Sequence, residues 1–271
     1  MRRLINQHPG RGARVALGIL PFLVLLVVYV VASQMRLAEN ANDKLLPSLG
    51  TIADTFHGYA FEEDKRSGKY LFWSDTGASL KRIGSALIIS SMLAMMLATA
   101  IGVVPRVRAL LSPLLNTVAM IPPLAVLPIL FIVLGLEEPA KIALIVIGVF
   151  PCVARDLALR VAELPREQII KVQTLGASTW QVVTRVVLPQ LWPRLIDSLR
   201  LAMGSAWLFL IAAEAIASTE GLGYRIFLVR RYLAMDVILP YVVWITLLAV
   251  LTDVALRQIR ARAFRWAEPG N

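Results

Sequence analysis

Apolar residues along the chain gather into six long runs, at about 15–33, 84–104, 112–134, 139–160, 196–217 and 238–257. Each approaches the roughly 20 residues that carry an α-helix across a bilayer. The runs are continuous and do not alternate with a period of two, so strands of a membrane barrel are excluded and helices are predicted. The third run carries Pro122, Pro123 and Pro128, and the fourth carries Pro151. Proline inside a span frees backbone groups that neighbouring helices or water must satisfy, so these helices are expected to surround a pathway.

Polar segments between the runs set the orientation. With the N-terminus inside, segments 1–14, 105–111, 155–200 and 257–271 collect 17 of the 28 basic residues but 5 of the 18 acidic ones. Inside loops rich in Lys and Arg are the usual pattern, and six spans return the C-terminus to the same side. The first run is too long for a signal-peptide core, so it reads as a retained helix. Outside, Leu46-Pro47-Ser48 precedes Leu49, Ile52, Ala53 and Phe56. Ser48 is an N-cap candidate, and this spacing predicts a short amphipathic helix lying flat on the interface. The polar run that follows ends near residue 83. The expected organisation is an N-terminal helix and outer segment (1–74), a membrane domain (75–259) and a basic inner tail (260–271).

Composition agrees with this class. Of the 271 residues 58% are hydrophobic, and mean hydropathy is +0.69. The net charge of +10 lies beside the spans as an orientation signal, without the aromatic interleaving or motifs of a nucleic-acid binder. No metal site or catalytic dyad is expected from two separated histidines, His8 and His57, and one cysteine, Cys152, within an apolar run. Charges near the spans have plain readings. Asp253 is four residues before Arg257 and is expected to pair with it. Glu137 and Glu138 occupy an outer turn as solvated charges. Glu214 either lines a pathway or reaches the outer surface, beside Ser218 and Thr219.

The loop between the fourth and fifth runs carries the mechanism. Ser178 or Thr179 is a predicted cap for a short helix through Trp180, Val183 and Val187, stopped by Pro189 and again by Pro193. Its apolar face fits either lipid headgroups or a soluble partner, and physics alone leaves both open.

Here the sequence resembles a known family. Gly176, nine residues, Val186, one residue, Leu188-Pro189 is similar to the cytoplasmic EAA loop of binding-protein-dependent ABC transporter permeases. The Glu-Ala-Ala triplet itself is replaced by Ile170-Lys171-Val172. Leu46-Pro47-Ser48, Ile121-Pro-Pro-Leu-Ala-Val-Leu-Pro128 and Ala213-Glu214 through Gly221-Leu-Gly223-Tyr224, followed by Asp236-Val237, resemble the nitrate, sulfonate and taurine branch of type I importers. The resemblance covers most of the chain from residue 46. It implies an all-α permease fold of six transmembrane helices in a bacterial inner membrane, both termini cytoplasmic. It implies that Gly176, Ala177, Ser178, Trp180, Val183, Val186, Leu188 and Pro189 form a coupling helix seated on an ATPase. Pro122, Pro123, Glu214 and Ser218 are the candidate pathway residues. The implied partners are two ATPase subunits, a second permease copy in a homodimer, a periplasmic substrate-binding protein and membrane lipid. ATP and Mg belong to the ATPase, because no phosphate-binding Gly-rich loop with Lys occurs in this sequence. A secondary carrier or channel not powered by ATP is the rival, though no two related halves are apparent.

Overall fold

The structure, a computed structural model, describes residues 10–40, 43–65 and 67–267. The basic positions before residue 10, His8, Arg66 and the end of the inner tail lie outside the described residues.

Helix α1 (Arg11–Glu39) covers the first predicted span and stands apart from the rest. Exposed apolar side chains surround it, and among the described residues it is fastened toward its predicted outer end. There Tyr29 Oη donates to the Pro47 carbonyl at 2.7 Å, Ser33 Oγ donates to that of Leu46 at 2.9 Å, and Arg36 pairs with Asp43. Ser48 caps α2 (Leu49–Phe61) by accepting from the Thr51 N–H, as its sequence requires. The helix also packs on protein. Phe56 meets Phe72 edge-on at 5.0 Å, Trp73 Nε1 donates to the Ala60 carbonyl, and Thr55 Oγ1 donates to Asp236. Of its apolar stripe Ile52 and Phe56 are half-buried, while Leu49 and Ala53 stay exposed.

Helix α3 (Leu71–Val103) begins 13 residues before the predicted span. Its opening turns read as polar loop because Asp75, Ser79 and Arg82 interrupt the apolar pattern, yet all three are buried. They fall at i, i+4 and i+7, one face of a helix. Further along α3 that face becomes Ala86, Ser90, Ala94 and Ala98, each fully buried. Small side chains let α6 (Glu138–Ala162) approach closely, the usual way membrane helices gain contact without a hydrophobic drive.

The predicted third span is a correction. It is two helices, α4 (Pro105–Val118) and α5 (Pro123–Leu134), bent by 94° at a short break. Pro122 bars Ile121 from helical backbone, and Pro123 restarts the helix at its first position, where its absent N–H costs nothing. Pro128 and Pro151 stay inside unbroken helices. On the side predicted to be inner, α7 (Arg166–Thr174) and α8 (Thr179–Val182) lead into α9 (Leu188–Ala217). A short outer helix, α10 (Leu222–Val229), precedes α11 (Met235–Ala263). The core lies where α3, α6 and α9 meet, with Gly148 of α6 seated against the Phe209 ring of α9.

Candidate functional site: inner docking segment and outer ion cluster

The inner loop is more ordered than a resting interfacial helix needs. At the end of α7 the Gly176 N–H donates to the Gln173 carbonyl at 2.9 Å and the Ala177 N–H to that of Val172 at 3.2 Å. These two bonds make a Schellman turn, which needs left-handed backbone, and Gly176 has φ +81°. Two residues on, Ser178 closes a capping box: its Oγ accepts from the Gln181 N–H, and Gln181 Oε1 accepts from the Ser178 N–H. One helix is stopped and the next started within four residues, fixing a sharp knob.

Apolar side chains crown that knob, with Leu175 86% and Trp180 72% exposed. Leu175 is a member that sequence reasoning missed. Of the valines, Val183 and Val186 are half-buried, whereas Val187 and Val182 turn inward against the chain's own core. Inward packing of Val187 removes it from the exposed apolar face. The predicted stop at Pro189 is also corrected. A π-helical turn, Val183–Val187, joins α8 to α9 without a break, and the Leu188 N–H reaches back five residues to the Val183 carbonyl. That wider turn accommodates the missing Pro189 N–H, and Gln190 Nε2 donates to the Val186 carbonyl at 3.0 Å. Pro193 likewise sits within α9.

At the outer end a buried ion cluster ties five elements together, α3, α6, α9, α10 and α11. Glu214, with no exposed surface, accepts from Ser79 Oγ at 2.8 Å, Arg82 Nη1 at 2.7 Å and the Gly223 N–H at 2.9 Å. Arg82 continues through Nε to Glu138 at 2.6 Å and through Nη1 to the Glu220 carbonyl at 2.8 Å. Asp75, also fully buried, accepts from the Gly221 N–H, Arg225 Nε and Tyr241 Oη. The two glycines are required here. A Cβ on Gly221, at φ +127°, would lie 2.5 Å from the Glu214 carboxyl carbon, and one on Gly223 would lie 2.7 Å from the Ile211 carbonyl.

This cluster revises several expectations. Glu214 reaches neither a pathway nor the outer surface, because its carboxylate is consumed by donors from α3 and α10. Glu138 is not simply solvated, since Arg82 and Lys141 hold it. Ser218 turns its hydroxyl onto the Glu220 carbonyl at 2.7 Å. Pro122 is exposed and Pro123 half-buried at the α4–α5 break, far in sequence from Glu214. Asp253 pairs with Arg200 at 2.8 Å across α9 and α11, because that guanidinium faces it from the neighbouring helix, while Arg257 is one turn along its own. Asp197 and Arg260 extend this inner belt at 3.1 Å.

Residues 87–265 match the family described as the binding-protein-dependent transport system inner membrane component. The chain belongs to that family. It is the transmembrane permease subunit of an ABC importer, and it works with an ATPase and a substrate-binding protein at the inner membrane. Among curated relatives the permease is 36% identical over 194 residues to the taurine transport system permease protein TauC of Escherichia coli (strain K12), covering 72% of this chain and 70% of that one. It is 26% identical to the putative aliphatic sulfonates transport permease protein SsuC of Bacillus subtilis (strain 168), over 97% and 92% of the two chains. It is 28% identical to the bicarbonate transport system permease protein CmpB of Synechococcus elongatus, over 87% and 84%. An inward-facing form of the MetNI methionine ABC transporter shares the fold, with a TM-score of 0.58 at 19% identity, over 71% of the permease and 97% of that chain. The type I importer permease fold follows, and a carrier or channel independent of ATP is not favoured.

Proposed function

We propose that the permease is driven through the knob at residues 170–189 and moves a small oxyanion-bearing solute of the sulfonate and taurine kind. The observation that carries the first part is a doubly fixed turn with Leu175 and Trp180 bare on it. Exposed large apolar groups on rigid backbone are what a docking anchor requires. Gly176, Ala177, Ser178, Trp180, Val183, Val186, Leu188 and Pro189 form or support that surface. Two ATPase subunits and a second copy of the permease complete the assembly, with both termini cytoplasmic. ATP and Mg bind to the ATPase, and this chain carries no catalysis of its own. The solute class is supported by the names of the taurine and sulfonate relatives, and selection of the solute is shared with the binding protein.

The test is uptake by vesicles holding the permease, its cognate ATPase and its binding protein. ATP-dependent accumulation of labelled taurine or an alkanesulfonate is expected, with two permeases and two ATPases in the native mass of the complex. Uptake that persists without the ATPase overturns the reading.

A further inference from the structure

The outer cluster leaves the pathway without its expected acidic residue, and a different face supplies one. Between α6 and α9 lies a cavity of about 280 Å³, lined by Gly148, Cys152, Asp156, Ser198, Leu201 and Ser205 among others. Asp156 accepts from Ser198 Oγ at 2.5 Å and is partly exposed, and Cys152 and Ser205 are exposed. Cys152 sits ten residues inside the inner end of α6, ~15 Å along the helix, so the cavity rises from the charged inner belt into the span. A carboxylate left partly bare on a membrane helix does not face hydrocarbon but protein or water, and the exposed Ser205 hydroxyl and Cys152 thiol share its face. The apolar sides of the bundle, such as Leu25 on α1, show the contrast.

We propose that this α6–α9 face lines the aqueous translocation pathway, and that Asp156 receives the ammonium group of a zwitterionic aminosulfonate passing through it. This rests on the importer reading above. Of the residues lining the cavity, Asp156 alone carries charge, so a bare anion finds no cation in that wall. Arg160 lies 3.6 Å from Asp156 Oδ1 but outside the lining, leaving the carboxylate held in place and open toward the cavity. An ammonium there gains a charge-assisted bond that a plain alkanesulfonate lacks.

Cys152 is the sole cysteine of the chain and is a built-in reporter. The permease–ATPase complex in vesicles is treated with sulfonatoethyl methanethiosulfonate, which is ionic and attacks thiolate in water. Cys152 is expected to label about tenfold faster than a Leu25→Cys control in a Cys152→Ala background. Labelling no faster than that control places the face against lipid, and labelling only after denaturation places it against a second copy. Either result overturns the proposal. The readout needs no transported solute, so it stands apart from any failure of the solute assignment. For Asp156, uptake of taurine relative to ethanesulfonate is expected to fall about tenfold in Asp156→Asn. Equal loss for both solutes overturns the role of the carboxylate.

Discussion

Removing Arg82 isolates a buried carboxylate, and the cost follows from its partners. In Arg82→Leu, Glu214 keeps Ser79 and the Gly223 N–H but loses its counter-charge with no water to replace it. Breaking one side of a buried pair costs about 3–5 kcal/mol. The Glu138 contacts add little, because that side chain is half exposed. The Glu220 carbonyl loses one donor, worth about 1 kcal/mol. Glu214→Gln made on the same background removes the stranded charge while its amide oxygen still accepts from Ser79 and Gly223. The double variant should therefore lie only about 1–2 kcal/mol below the parent. SDS-induced unfolding of the purified permease in mixed micelles, run as a double-mutant cycle, reads both values. A double variant no more stable than Arg82→Leu, or an Arg82→Leu within about 0.5 kcal/mol of the parent, would refute a cost that arises from stranded charge.

Other expectations follow from the knob and the termini. Gly176→Glu should lose uptake while the permease is still made and inserted, since left-handed backbone costs a side chain about 1–2 kcal/mol; Gly176→Asn, which tolerates that backbone, should retain more. Trp180→Ala should weaken ATPase retention by about 2 kcal/mol, or ~30-fold, in co-purification, and full retention would mean the knob merely rests on the membrane. With Cys152 replaced, Ser67→Cys should react with an impermeant thiol reagent from outside and Ser178→Cys should not; the reverse pattern sinks the topology. The outer fastening of α1 should loosen in acid. The Leu45 N–H and Arg36 hold the Asp43 carboxyl below its usual range, so that contact is present above the ordinary carboxylate pKa and is lost as pH falls through the lowered one. Spin labels at Leu37→Cys and Thr51→Cys should keep their distance near the ordinary carboxylate pKa of about 3.9, show it broadened only at more acid pH, and show it broadened at neutral pH for Asp43→Asn. An unchanged distance in both conditions counts against the fastening.

The sequence was most legible where one physical constraint acts alone. A helix surrounded by lipid must be apolar on every side, so the apolar run at about 15–33 marks α1 directly, within the longer helix Arg11–Glu39. The same rule hid the start of α3, because residues whose charges are neutralised by other helices look like loop when read locally. Asp75, Ser79 and Arg82 become a helix face only once their i, i+4, i+7 spacing is counted, and their partners lie more than 50 residues away. Asp253 misled for a related reason. Its nearest cation along the chain is Arg257, but a cation across an interface competes on equal terms, and Arg200 holds it. The turn and cap of the knob were legible through its glycine and Ser178, whose demands are local. The continuity past Pro189 was not, since a π turn has no residue signature of its own.

That π turn also fixes a phase. Because the chain is helical from Thr179 to Ala217, the direction in which Trp180 points is set by how many residues lie between it and the membrane portion of α9. An α-helix advances ~100° per residue, and the wide turn holds one more residue than an α-helical turn would. Deleting a single valine from 183–187 would let the segment relax to an ordinary helix with Trp180 on its present bearing, whereas adding one would swing Trp180 by about a quarter-turn. An added residue would thus re-aim the knob without altering any side chain on it, whereas a substitution among these valines would leave its aim untouched. Spacing, more than identity, is what this stretch of chain encodes.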